Sequence, residues 1–172
     1  NSLAFGPDGK VYLSIGAMSD HLEPANPLEA AVLRFDPDGG NLQRFANGLR
    51  NPYDLSFDAD GRLFVTDNGP DYGGPELLYH VEEGAQFMFP YYPDCDFCPQ
   101  PPSGVDVTNP IATFIPHGAI TGITAYTHTK FPKQYYNSLF VALWSAFPGA
   151  QKIVRVQTFP TKTTDFMLGL AA

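Results

Sequence analysis

The stretch GLRNPYDLSFDADGRLFVTDNGPD, residues 48–71, sets Arg50 and Asn51 at the entrance of one short apolar run and Asp67, Asn68, Gly69, Pro70 and Asp71 at the exit of the next. A guanidinium suits a carboxylate or quinone oxygen, because its planar fork donates several charge-assisted hydrogen bonds at once. The Asn-Gly-Pro-Asp exit offers backbone carbonyls and carboxylates, the hard oxygen donors that Ca²⁺ prefers. If the two runs pair as an antiparallel hairpin, entrance and exit lie at one end and can share a site.

The four histidines are scattered. His117, in IPHGAITG, is a candidate catalytic side chain facing the same end, against a hydrogen-bonded structural role. His21 lies in a long loop near that end and carries the same two readings, while His80 falls in a strand and reads as structural. Cys95 and Cys98 form CDFC in a Pro-rich loop. A zinc site needs a second ligand pair, attached haem needs a His where Pro99 stands, and a thioredoxin-like role needs a βαβ setting. A local disulfide of an oxidising compartment is expected, with free thiols as the alternative. The aromatic residues Phe87, Phe89, Tyr91 and Tyr92 read as packing between sheets in preference to a ligand-binding wall.

The elements that position these residues repeat. LAFGPDGKVYLSIG (3–16) and LSFDADGRLFVTDN (55–68) superpose at an offset of 52 residues, so that Leu3 matches Leu55, Phe5 matches Phe57 and Gly9 matches Gly61. Each reads as a hairpin whose Asp-Gly turn supplies the positive φ. The turn reading of Asp8, Asp38 and Asp60 is preferred to a metal-loop reading. GITAYTHTKFPKQYYNSLFVALW is a third copy with a longer turn. A third strand follows each hairpin (AVLRF, ELLYHV, KIVRV), with Val65 to Leu78 and Val141 to Val154 equally spaced, and NLQRFANG and TTDFMLGL read as fourth strands. EPANPLEAAVLRF is the best helical candidate, but Pro24 and Pro27 leave room for one turn at most.

Three or four strands per repeat, repeated radially, describe an all-β fold, a β-propeller with three blades at about 1–47, 48–116 and 117–172. Three blades do not close a ring, so the expectation is half of a six-bladed one, completed by further blades or by a second copy. The chain opens at Asn1 instead of Met, and we expect processing or truncation. Ten basic against eighteen acidic residues give a net charge of −8, and the basic residues are scattered, not clustered into the positive face that phosphate binding needs, so no nucleic-acid partner is expected. Seventeen Pro, sixteen Gly, fourteen Phe and nine Tyr fit many turns between aromatic-rich strands. No apolar run approaches the roughly 18 residues of a transmembrane segment, and no leader pattern is visible.

FANGLRNPYDLSFDADGRLFVTDNGPD, followed by PELLYHVEEGAQFMFPYY, resembles the signature region of the glucose/sorbosone dehydrogenase family. IPHGAITGITAYTHTKFPKQYYNSLFVALW is similar to that family's next blade, especially in its sorbosone-dehydrogenase-like branch. The resemblance implies a periplasmic or extracellular quinoprotein oxidoreductase that passes two electrons from a sugar or polyol to pyrroloquinoline quinone (PQQ) held with Ca²⁺, and from there to an external acceptor. It implies quinone contacts at Arg50 and Asn51 and backbone carbonyl ligands for Ca²⁺ at Gly69 and Pro70. The family's catalytic histidine is expected upstream of Asn1, and further cofactor arginines beyond Ala172. A family lysine that contacts the quinone falls near Ser145. That departure keeps a non-catalytic propeller binding a partner or polysaccharide in play. A Ca²⁺-dependent lactonase-like hydrolase, with Asp67 and Asp71 as side-chain ligands, is the third reading.

Overall fold

Apolar runs bounded by Gly, Pro and Asp turns fold as antiparallel strands in the computed structural model, which describes residues 1–170. The first sheet is β1 (Leu3–Phe5), β2 (Val11–Ile15), β3 (Ala31–Phe35) and β4 (Gln43–Asn47), side by side in that order. The second is β5 (Pro52–Phe57), β6 (Leu63–Asp67), β7 (Glu76–Val81) and β8 (Ala112–Phe114), and the third is β9 (Ile120–Ala125), β10 (Leu139–Leu143), β11 (Lys152–Thr158) and β12 (Thr161–Met167). Among the described residues the one helical element is a 3-10 turn at Lys133–Tyr135. The prolines of EPANPLEAAVLRF leave only bends and turns before β3.

The 52-residue repeat holds at the level of single bonds. Phe5 pairs with Val11 as Phe57 pairs with Leu63. The Gly9 N–H closes its turn on the Gly6 carbonyl at 3.0 Å, and the Gly61 N–H closes the equivalent turn on the Asp58 carbonyl at 3.1 Å. Gly9 and Gly61 both sit at φ 78°, where a side chain is strained, so the glycine and not the aspartate supplies the left-handed residue. In the third sheet Ile123 pairs with Val141 as Leu55 pairs with Val65, with the 3-10 turn inside the longer connection. One expected correspondence differs: Val65 faces Tyr79, not Leu78, whereas Val141 does face Val154, because the connection after β6 is one residue longer.

Sheets stack face to face, as consecutive propeller blades do. The middle sheet is covered on both sides, which is why every residue of β6 is buried. Leu63, Val65, Leu77 and Tyr79 pack toward the first sheet in one core cluster. Phe64 and Leu78 pack toward the third sheet in another. Truncating a buried ring such as Phe64 or Tyr79 to Ala costs about 3–5 kcal/mol on general grounds. The outer faces of the end sheets are open: Phe5 is 75% exposed, and β12 is exposed along its whole length.

Polar bonds fix the innermost strands to one another. Ser2 Oγ donates to Asp54 Oδ1 at 2.7 Å, and Asp54 Oδ2 accepts the Ile123 N–H at 3.0 Å, so one carboxylate ties all three sheets. Ser56 Oγ accepts the Ala125 N–H at 3.1 Å. These bonds hold the loops that follow β2, β4, β6, β8 and β10 at one end, the mouth.

Candidate functional site

The site begins where β5 begins. Pro52 opposes Asp67 but has no N–H for the ladder, and the two residues before it need other acceptors. Asp67 supplies them: Oδ2 accepts the Arg50 N–H at 3.0 Å and Oδ1 the Asn51 N–H at 2.7 Å. Burial pushes the Asp67 carboxyl up to about 7, against the pull of these two N–H groups and of the Arg50 charge, with Glu76 adding to the rise.

This anchoring presents the Arg50 side chain to the β6–β7 loop. Nη1 donates to the Gly69 carbonyl at 2.7 Å, Nη2 to Asp71 at 2.6 Å, and Nε meets Asp20 of the β2–β3 loop at 2.6 Å. Burial works against the charge, but Asp20 and Asp71 more than offset it and raise the Arg50 pKa. Gly69 is required by close approach, since a Cβ there would lie 2.2 Å from the Pro75 carbonyl oxygen. Its N–H donates to Glu76 Oε2 at 2.7 Å, and Glu76 Oε1 accepts the Ala119 N–H at 3.0 Å. The buried Glu76 carboxylate thereby fixes the loop carrying His117 beside the loop carrying Gly69.

The result is a cleft of about 300 Å³ whose walls include Arg50, Asn51, Tyr53, Gly69, Asp71 and His117. Its volume sits at the lower end of the range for ligand sites, roughly 300–1,000 Å³. His117 takes a left-handed backbone (φ 56°), and its imidazole stacks on Phe147 at 5.0 Å. The Asn51 backbone is used by Asp67 and Asn68, while its exposed side-chain amide makes no hydrogen bond among the described residues.

Of the residues singled out in the sequence, Arg50, Asn51, Gly69 and His117 converge on this cleft. Pro70 does not line it. Pro70 is buried beside Tyr72, Leu77 and Tyr92, and its carbonyl accepts the Gly73 N–H at 3.1 Å. Asp67 is spent on backbone N–H groups and Asp71 on Arg50, and no cluster of three acidic, His or Cys side chains suited to a metal occurs among the described residues. Each of the Gly69 and Pro70 carbonyls nevertheless keeps a lone pair. Arg50 is paired with both Asp20 and Asp71, and the Glu76 carboxylate lines the same cleft, so the mouth carries a net negative charge.

Asp20 and Glu76 carry no marking in the sequence, since their partners come from other loops. His21 lies beside Asp20, with Nδ1 3.7 Å from its carboxylate, and rests edge-on against Phe97. His80 packs between Phe64 and Phe159. Phe87, Phe89 and Tyr92 are buried core residues, whereas Tyr91 borders a separate polar pocket with Glu23. Cys95 and Cys98 are joined by a disulfide with a Cα–Cα distance of 5.4 Å. Ser145 lies in the β10–β11 loop, where its Oγ accepts the Phe147 N–H at 3.2 Å.

A family model described as Glucose / Sorbosone dehydrogenase matches residues 1–165. Among solved structures, the PQQ-bound form of aldose sugar dehydrogenase from Streptomyces coelicolor is similar with a TM-score of 0.70 and 21% identity, covering 95% of this chain and 47% of that one. The apo-form of the soluble aldose sugar dehydrogenase from Escherichia coli gives a TM-score of 0.75 at 16% identity, covering 96% and 52%. The holo form of the pyranose dehydrogenase PQQ domain from Coprinopsis cinerea gives 0.65 at 17%, covering 95% and 54%. At these identities the likeness carries the fold alone, a β-propeller, and the chain spans about half the length of each of these structures. No curated protein sequence matches it.

Proposed function

Because this chain belongs to the glucose/sorbosone dehydrogenase family, we propose that its three sheets are blades (1–47, 48–116 and 117–172) of a six-bladed, PQQ-dependent dehydrogenase acting on a sugar or polyol. The observation that supports this reading is the convergence of Arg50, the free amide of Asn51 and the Gly69 carbonyl on one cleft. PQQ, when bound, supplies the two-electron acceptor that side chains lack. Arg50 and Asn51 would hold its oxygens. The Gly69 carbonyl would hold Ca²⁺ through its remaining lone pair, and the Pro70 carbonyl would join it only by turning from the Gly73 N–H toward the cleft.

A polyanionic quinone entering a mouth where the one guanidinium is already paired with Asp20 and Asp71 needs the divalent cation to offset the repulsion, so binding is expected to depend on Ca²⁺. His117, at the cleft wall, is this chain's candidate for accepting a substrate hydroxyl proton on an imidazole nitrogen. A periplasmic or extracellular location accords with the Cys95–Cys98 disulfide. Among the described residues no helix is long and apolar enough to cross a membrane.

The lactonase reading loses its support at Asp67, whose carboxylate serves the Arg50 and Asn51 N–H groups. The non-catalytic reading keeps one observation, the small Ser145 where the family carries a lysine. Aldose-dependent reduction of an artificial dye by the full-length protein loaded with PQQ and Ca²⁺ separates the two. Turnover is expected; PQQ binding without turnover on a panel of sugars and polyols would favour the non-catalytic propeller.

A further inference from the structure

Two carboxylates of different character grip Arg50. Asp20 Oδ1, from the neighbouring sheet's β2–β3 loop, meets Nε at 2.6 Å and also accepts the Asp71 backbone N–H at 3.1 Å. Its side chain is 25% exposed, whereas that of Asp71, 2.6 Å from Nη2, is 81% exposed. We propose that Asp20 is the positioning residue for anion recognition at the mouth, and that the Asp71 carboxylate is a resident stand-in, replaced on Arg50 Nη2 when an anionic ligand enters.

The backbone makes this exchange possible. When the Asp71 side chain swings away, its N–H remains on Asp20 and Gly69 remains on Glu76, so the loop keeps its place. Arg50 keeps Nε on Asp20 and Nη1 on the Gly69 carbonyl, which leaves the Nη2 edge presented at a fixed angle to the cleft. A preset guanidinium fork loses little freedom on binding a carboxylate, and a partner carboxylate as exposed as that of Asp71 exchanges readily with solvent. The choice of ligand rests on the PQQ reading above; the positioning of Arg50 by Asp20 does not.

The test uses the full-length protein and its Asp20→Asn, Asp20→Glu and Asp71→Asn variants. It measures PQQ affinity by absorbance titration in Ca²⁺, hydrogen exchange at the Arg50 Nε–H by NMR, and melting temperature. Asp20→Asn is expected to weaken PQQ roughly tenfold or more and to speed Nε–H exchange by a similar factor, since a hydrogen bond to a charged group is lost. Asp20→Glu keeps the charge, guards against a folding defect and should fall in between. Asp71→Asn should leave the Nε–H unchanged and bind PQQ as well as the parent, or up to about fivefold tighter.

A tenfold loss of affinity in Asp71→Asn would make Asp71 a ligand contact and overturn the exchange. Unchanged affinity and Nε–H exchange in both Asp20 variants would overturn the positioning role. Failure of the parent to bind PQQ would defeat the PQQ reading and the exchange with it, while the Nε–H comparison would still decide whether Asp20 fixes Arg50.

Discussion

Asp67→Asn is expected to make stability less sensitive to pH between about 5 and 8. Asp67 is buried at the base of the mouth, and burial pushes its carboxyl from 3.8 up to about 7. Between those values the folded protein keeps a proton that the unfolded chain has released. The stability this group contributes is therefore fully present below about pH 4 and lost as the pH rises through about 7. From about pH 5 to 8 the loss comes to roughly 2–3 kcal/mol. Asp36, lowered by its hydrogen bonds from Lys10 and Asn41, loses its contribution only in more acidic solution and lies outside this window. Asparagine does not titrate, and its single acceptor leaves one of the Arg50 and Asn51 N–H groups unpaired, at about 1–3 kcal/mol whatever the pH. In urea unfolding of both proteins, the variant should trail the parent at pH 5 and close that gap by roughly 2–3 kcal/mol at pH 8. A constant gap, or one that widens toward pH 8, refutes the reasoning. It would mean that the two N–H groups keep the carboxylate ionised in spite of its burial.

Gly69→Ala puts a Cβ 2.2 Å from the Pro75 carbonyl oxygen, where only backbone can yield; a loss of about 1–3 kcal/mol is expected from thermal unfolding. Reducing the Cys95–Cys98 bridge, which closes a short loop, should cost about 2 kcal/mol in paired unfolding curves with and without reductant. With Leu3, Phe5, Phe166 and Met167 exposed on the two outer faces, the 172-residue chain alone should self-associate in light scattering. A monodisperse, cooperatively melting monomer would contradict that expectation.

The hairpins were legible because a Gly at φ 78° is needed at each turn and the apolar pairs on either side keep one register, so Leu3 to Gly16 and Leu55 to Asn68 repeat bond for bond. Strand β8 was not, since Ala112–Phe114 is three residues long and follows a Pro-rich connection. Equal spacing misled at Val65, where one extra residue after β6 changes the partner from Leu78 to Tyr79. In the site, Arg50 and Asn51 were legible because a hairpin must bring its entrance and exit together. Asp20, thirty positions from Arg50 in an irregular loop of the adjacent sheet, leaves no periodic mark. Glu76 sits at the start of an apolar strand, where the residue type alone does not reveal that both its oxygens hold backbone N–H groups of two loops. Pro70 shows the converse: adjacency to Gly69 in sequence does not put it on the same wall.

The central claim is that the Arg50 cleft is a Ca²⁺-dependent PQQ site. Calorimetric titration of the full-length protein and its Arg50→Ala variant with PQQ, with and without Ca²⁺, tests it most directly. Saturable one-to-one binding by the parent in Ca²⁺, abolished by chelator and weakened roughly a hundredfold in the variant, is predicted from the loss of charge-assisted bonds. No binding by the parent in Ca²⁺, or equal binding by parent and variant, would contradict it.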